Sequence, residues 1–280
     1  MMKKQRLENL TIKDNFLFGA VMMNEDNCKG LLERALDIKI DYVRVSREKS
    51  IVYHPEYKGV RLDVYAKDEA QTCYNIEMQV TKKKALGKRS RYYQSQMDME
   101  MLLAGSEYEM LPSSYVIFIC DFDPFGEKQY RYTFEMKCKE KEKVQFGDCR
   151  HIVFLSTCGE NDEEVPKELI TFLKFVKADL KDSQTDFHDS YIRQLQEFIA
   201  RVKSSREMEE RFMVLEEMLR DERREGRTDI LLEMLEECGT VPENLKEKIL
   251  GETDMKTLAF WTRLAAKVES VEEFQEKMEL

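Results

Sequence analysis

The sequence predicts a mixed α/β fold followed by a helical C-terminal region, and three observations carry that prediction. Two segments, Gly59 to Ala66 and Cys73 to Val80, alternate apolar and polar residues as strands do. Tyr115 to Cys120 is an unbroken apolar run of strand length, as expected of a strand covered on both faces. After Val165 the pattern turns to charged segments of helical period.

The elements follow in chain order. Phe16 to Leu36 has helical spacing, with Phe16-Leu17, Val21-Met22, Leu31-Leu32 and Ala35-Leu36 on one side and a break expected within Asn24 to Gly30. Ile40 to Val45 and Ile51 to Tyr53 read as extended segments. Lys67 to Gln71 is a polar turn, so the two alternating segments should pair antiparallel. With a three-residue loop at 69–71 the paired positions sum to 140, setting Asp63 opposite Glu77 and Arg61 opposite Gln79.

Lys88 to Leu103 then reads as a helix that stops near Gly105. Asp123-Pro124-Phe125-Gly126 is a turn, and Tyr130 to Cys138 and His151 to Leu155 are further strands. Pro166 to Leu180 and Phe187 to Arg224 are helical, with Gly226 as an interruption. Short helices are expected at 229–237, 242–250, 254–267 and 270–279. This pattern divides the chain into a domain at 1–184 and a helical region at 185–280, whose expected role is packing or homo-oligomerisation without chemistry of its own.

Bulk properties narrow the class. Hydrophobic residues make up 42% of the 280, enough for a substantial core, and no run approaches the roughly 18 apolar residues of a membrane span. The basic start has no apolar stretch after it, so the expected location is the cytoplasm, with no membrane partner. The seven cysteines include no CxxC pair, and the tightest set, Cys138, Cys149, His151 and Cys158, does not match zinc-site spacing. The net charge of −10 hides a basic first third: residues 1–100 sum to +4, and Lys82, Lys83, Lys84, Lys88, Arg89 and Arg91 concentrate the surplus. A local patch of that kind suffices for phosphate binding on an acidic protein, although a basic run is more often a solvated face.

The hairpin face could do chemistry. Two carboxylates about 4 Å apart repel by roughly 4 kcal/mol at an effective dielectric near 20. A protein keeps such a pair by protonating one member, by neutralising it with a neighbour such as Arg61, or by binding a cation. Hard oxygen ligands suit Mg²⁺ or Mn²⁺.

A family resemblance shifts that balance. The segments Arg61-Leu62-Asp63-Val64-Tyr65, Tyr74-Asn75-Ile76-Glu77-Met78-Gln79 and Arg89-Ser90-Arg91-Tyr92-Tyr93 resemble the Rpn-like family of recombination-promoting nucleases, within the PD-(D/E)xK superfamily. So do Lys13-Asp14-Asn15-Phe16-Leu17-Phe18, Gly105-Ser106-Glu107-Tyr108, the strand Val116 to Ile119 and Arg224-Glu225-Gly226-Arg227, in that order along most of the chain. The resemblance implies a restriction-endonuclease-like core and a Mg²⁺- or Mn²⁺-dependent endonuclease acting on DNA in recombination or transposition. Asp63 and Glu77 would be the metal ligands, and Gln79 stands in the place of the superfamily lysine. Glutamine has no charge and cannot act as a general base; the E-x-Q form is similar to that of the Rpn-like family itself. Arg61, Arg89 and Tyr93 are the expected substrate contacts, the last two on one helix face at i, i+4. Glu33 is a candidate third acid whose simpler reading is a surface carboxylate. The alternative to catalysis is a silent nuclease fold that binds DNA or a protein.

Overall fold

In the computed structural model, which describes residues 6–51 and 60–278 and only the backbone at 47–51, 60 and 61, the chain divides into two compact units, Met1–Ser205 and Arg206–Leu280. The first unit is built on a six-stranded sheet. Its strands are β1 (Val43–Ile51), β2 (Val60–Asp68), β3 (Cys73–Gln79), β4 (Ser114–Cys120), β5 (Arg131–Phe134) and β6 (Arg150–Ser156). Their order is β1-β2-β3-β4-β6-β5. The β1–β2–β3 meander is antiparallel, β3–β4 and β4–β6 are parallel, and β5 closes the far edge antiparallel to β6. The expected mixed α/β fold is therefore the observed one.

Helices cover the sheet. α1 (Asn15–Met22) starts where the Asp14 carboxylate accepts the N–H groups of Phe16 and Leu17. The break before α2 (Glu25–Leu36) is confined to Met23 and Asn24, since Asn24 caps the new helix by accepting the Asn27 N–H. Gly30 sits inside α2 for a packing reason: a Cβ there would lie 2.4 Å from the Tyr191 ring. α1 and α2 lie against β1 and β2. α3 (Leu86–Met101) covers the opposite face, where Leu86, Tyr93 and Met97 pack with Cys73, Val116, Phe118 and Phe154. β4 is buried on both sides, as its apolar run predicts. α4 (Lys167–Lys177) packs on α2, and α5 (Ser190–Ser204) packs on α1 and α2.

Several boundaries differ from expectation. The two extended segments around residue 45 are one strand, β1, and Val52 and Tyr53 lie outside the described residues. The strand expected from Tyr130 to Cys138 ends at Phe134. The division into units falls after Ser205 and not after residue 184, because the apolar face of α5 belongs to the sheet-bearing unit, where the Tyr191 hydroxyl donates to the Asn27 carbonyl at 2.6 Å.

The second unit is helical: α6 (Arg206–Cys238), α7 (Glu243–Gly251), α8 (Met255–Ala265) and α9 (Val271–Lys277). Leu231, Leu235, Ile249, Leu258, Trp261 and Phe274 form its core. Gly226 does not interrupt α6. A glycine costs a helix interior only about 1 kcal/mol, and the leucines one turn further on anchor the helix through tertiary packing. No helix among the described residues is long and apolar enough to cross a membrane.

Candidate active site on the β2–β3 hairpin

The hairpin sets the geometry. Tyr65 faces Asn75 and Val64 faces Ile76, which is the sum-to-140 register. Asp68 and Thr72 close the loop, the Asp68 N–H donating to the Thr72 carbonyl at 3.2 Å; the Gln71 N–H donates to the Asp68 carbonyl, and Gln71 has φ +64°. That is a turn followed by a left-handed residue, the usual build of a three-residue hairpin loop. Continuing the register places Asp63 across from Glu77, and the Asp63 N–H donates to Glu77 Oε1 at 3.3 Å.

The polar face of the hairpin is not open to solvent. Asn75, Glu77 and Gln79 are 0%, 1% and 5% exposed, because α3 lies over that face, while Asp63 is half-buried at its margin. Burial in the first place, and the Asp63 charge in the second, push the Glu77 carboxyl up from an ordinary 4.5 to about 8; Arg89, the Asp63 N–H and the Asn75 amide pull it back.

Arg89, in the first turn of α3, organises the rest. Its Nη2 donates to Glu77 Oε2 at 2.6 Å, its Nη1 to Gln79 Oε1 at 2.7 Å, and its Nε to the Tyr93 hydroxyl at 2.7 Å. The guanidinium carbon lies 4.9 Å from the Tyr93 ring centre and 5.5 Å from that of Phe118, so aromatic faces hold the cation on two sides. The Tyr93 hydroxyl is pushed upward, by burial and then by the Glu77 charge. The Gln79 amide is completed by donation from Nε2 to the Thr81 carbonyl at 3.3 Å. Outside this cluster Lys82, Lys83, Lys84, Lys88 and Arg91 are exposed around the start of α3.

The structure thus brings Asp63, Glu77, Gln79, Arg89 and Tyr93 together. The Arg61 side chain lies outside the described residues, although its backbone pairs with Ser50. Glu33 is engaged elsewhere, accepting the Ile40 N–H at 3.1 Å where the chain leaves α2. Among the described residues no cluster of three or more carboxylate, histidine or cysteine side chains is disposed for a metal ion. Asn75 was singled out by nothing but its position on the polar face. It is wholly buried two residues before Glu77, and neither amide atom has an aligned hydrogen-bond partner among the described residues. Its place in the alternation was the only available signal.

A family model for the PD-(D/E)XK nuclease family transposase matches residues 15–229. The chain belongs to this family. No curated protein and no solved structure gives a match. In this member of the family the match runs from the start of α1 into α6 and includes the whole hairpin. The signature that names the family ends on lysine, whereas the β3 segment Glu77-Met78-Gln79 expected to match it ends on glutamine. The positive charge nearest Gln79 is instead the guanidinium of Arg89, ten residues on and folded back from α3.

Proposed function

We propose that this PD-(D/E)XK transposase is a divalent-metal-dependent DNA endonuclease whose working residues are Asp63, Glu77, Gln79, Arg89 and Tyr93, with Arg61 as a further substrate contact. One observation carries the reading: buried Glu77 and half-buried Asp63 lie side by side on adjacent strands, and Glu77 is pushed up in pKa first by burial and then by the Asp63 charge. The donor set suits Mg²⁺ or Mn²⁺, with two carboxylates and the Gln79 amide oxygen as hard ligands. Bound there, such an ion would polarise a phosphate oxygen and acidify a coordinated water.

The chain's own groups do the rest. Arg89 stands as an internal counter-cation, holding by hydrogen bonds the same Glu77 and Gln79 oxygens that would ligate an ion. A phosphodiester offers the guanidinium two non-bridging acceptor oxygens, so the incoming backbone draws Arg89 off the acids and frees them. Tyr93 steers that movement through its hydroxyl. Gln79 can orient the attacking water but, being an amide, cannot take its proton. Water oxygen bonds to phosphorus, the ester P–O bond breaks, and the proton that the water loses passes by way of solvent to the leaving oxygen. Lys82 to Lys84 and Lys88 give the approaching backbone a sequence-independent attraction.

A second reading, a silent fold that binds DNA or a protein partner, is favoured by the Arg89–Glu77 ion pair and by the glutamine in place of lysine. Plasmid nicking separates the two. Under Mg²⁺ the native chain should nick supercoiled plasmid, and Asp63→Ala and Glu77→Ala should each lose at least a hundredfold in rate. Equal nicking by all three would sink the nuclease reading, and DNA binding without cleavage in any divalent metal would establish the silent one.

A further inference from the structure

The second unit contains a groove of about 720 Å³ between α6 and α8, lined by Arg223, Gly226, Arg227 and Ile230 from one helix and Ala259, Thr262 and Arg263 from the other. Three guanidinium groups on one groove are unexpected in this unit, since residues 206–280 hold 12 basic and 21 acidic side chains, a balance of −9. Carboxylates are therefore plentiful, and three of the four other arginines of α6 use them; Arg220 does not, among the described residues. Arg206 pairs with Glu210, Arg211 with Glu207 and Arg224 with Asp221. Arg223, Arg227 and Arg263 have no carboxylate partner among the described residues. Arg227 donates Nη1 to the Met255 carbonyl at 3.3 Å, and Arg263 donates Nε to the Ala259 carbonyl at 3.1 Å, so backbone contacts hold both in place with further N–H groups to spare.

Gly226 is a second, independent observation. Glycine inside a helix costs roughly 0.5–1 kcal/mol against alanine. In α2 the glycine is explained by the Tyr191 ring, but a Cβ on Gly226 would meet nothing within 4 Å. No packing inside the unit requires it. Its effect is to keep the α6 wall of the groove low, three residues after Arg223 and next to Arg227.

We propose that this groove binds the phosphodiester backbone of DNA, as a contact separate from the hairpin residues. The identity of the anion rests on the DNA-cleaving reading above; the presence of an anion site rests on the arginines. Their chemistry fits phosphate: each planar fork can give two parallel N–H bonds to one phosphate. Arg223 and Arg227 lie one helical turn apart, a rise of about 6 Å, so they can engage successive positions on one strand. The bare glycine between them lets the strand approach the helix.

The test is binding of the full-length chain to a fluorescently labelled duplex in EDTA, read by anisotropy across a salt series, so that cleavage plays no part. Arg227 is left intact because it also ties down the start of α8. The Arg223→Ala/Arg263→Ala double variant should bind about tenfold more weakly at 0.1 M salt. Its slope of log K against log salt should fall by about two, one for each lost phosphate contact. Gly226→Leu, which fills the groove and keeps every charge, should also weaken binding, with a helix signal equal to or above that of the native chain. Arg206→Ala/Arg211→Ala, which removes the same charge from ion-paired positions of α6, should cost less than twofold.

Unchanged affinity and slope in the groove variant would overturn the proposal. So would an equal loss in the ion-paired control, or a loss of poly-glutamate binding with DNA binding intact, which would assign the groove to an acidic peptide. Nicking at saturating plasmid under Mg²⁺ keeps the two readings apart. If the native chain binds through these arginines but never nicks, the hairpin reading fails and the groove stands; if it nicks and the arginines do not matter, the reverse holds.

Discussion

Glu77 shows how a single side chain is set by what covers it. An exposed glutamate across from an aspartate would share its charge with water; here the wall of α3 removes the water, and Arg89 supplies only part of the compensation. Because the folded-state pKa is raised, to about 8 from 4.5, the folded protein holds a proton through that window that the unfolded chain has already released. Stability of the metal-free protein must then fall as pH rises from about 5 to 8. Glu77→Gln removes this dependence. Thermal melts in EDTA should find the variant gaining on the native chain by an amount on the order of 1–3 kcal/mol between pH 5 and pH 8. A difference that stays constant with pH would mean that Glu77 is ionised throughout, with Arg89 as its complete partner. Much of this site was legible in the sequence: the alternation and a polar turn fixed which acids face each other, and the i, i+4 spacing put Arg89 and Tyr93 on one helix face. The clasp of Arg89 on Glu77 and Gln79 was not legible, since it depends on how α3 docks and no local pattern encodes a docking angle.

At the scale of elements, the hairpin is specified twice, by its apolar face and by its loop. Gln71 occupies a left-handed conformation at the loop's end, exposed to solvent, and a side chain there costs what glycine would not. Gln71→Gly should raise stability by about 0.5–1 kcal/mol with nicking activity unchanged. A loss of stability would show that the loop holds some other conformation. The same elements mark where local reading failed. Glycine suggested a break at residue 226 because turn signals are local, whereas α6 is held by leucines that pack across the unit. Alternation in β3 was read correctly but could not say that its polar side is covered, since a buried polar face and a wet one have the same period.

The whole molecule is two units with separate cores, and the helical period that runs through both α5 and α6 does not itself mark where one unit ends and the other begins. The chain's one tryptophan, Trp261, is in the second unit, nearly buried, with its indole N–H donating to the Met278 carbonyl at 3.2 Å. Fluorescence therefore follows the helical unit alone, and tyrosine-region circular dichroism is dominated by the sheet-bearing one, which holds all twelve tyrosines. Denaturant titration should give two transitions that do not coincide between these probes. Superimposable curves would show a single cooperative unit.

If Asp63 and Glu77 form one cation site that Arg89 guards, a bound ion must displace the guanidinium. Anomalous diffraction from crystals soaked in Mn²⁺ tests it most directly. A manganese peak is expected at bonding distance from both carboxylates, with the Arg89 guanidinium displaced from Glu77. A crystal with no peak there, or with manganese bound elsewhere and Arg89 still closed on Glu77 and Gln79, would contradict it.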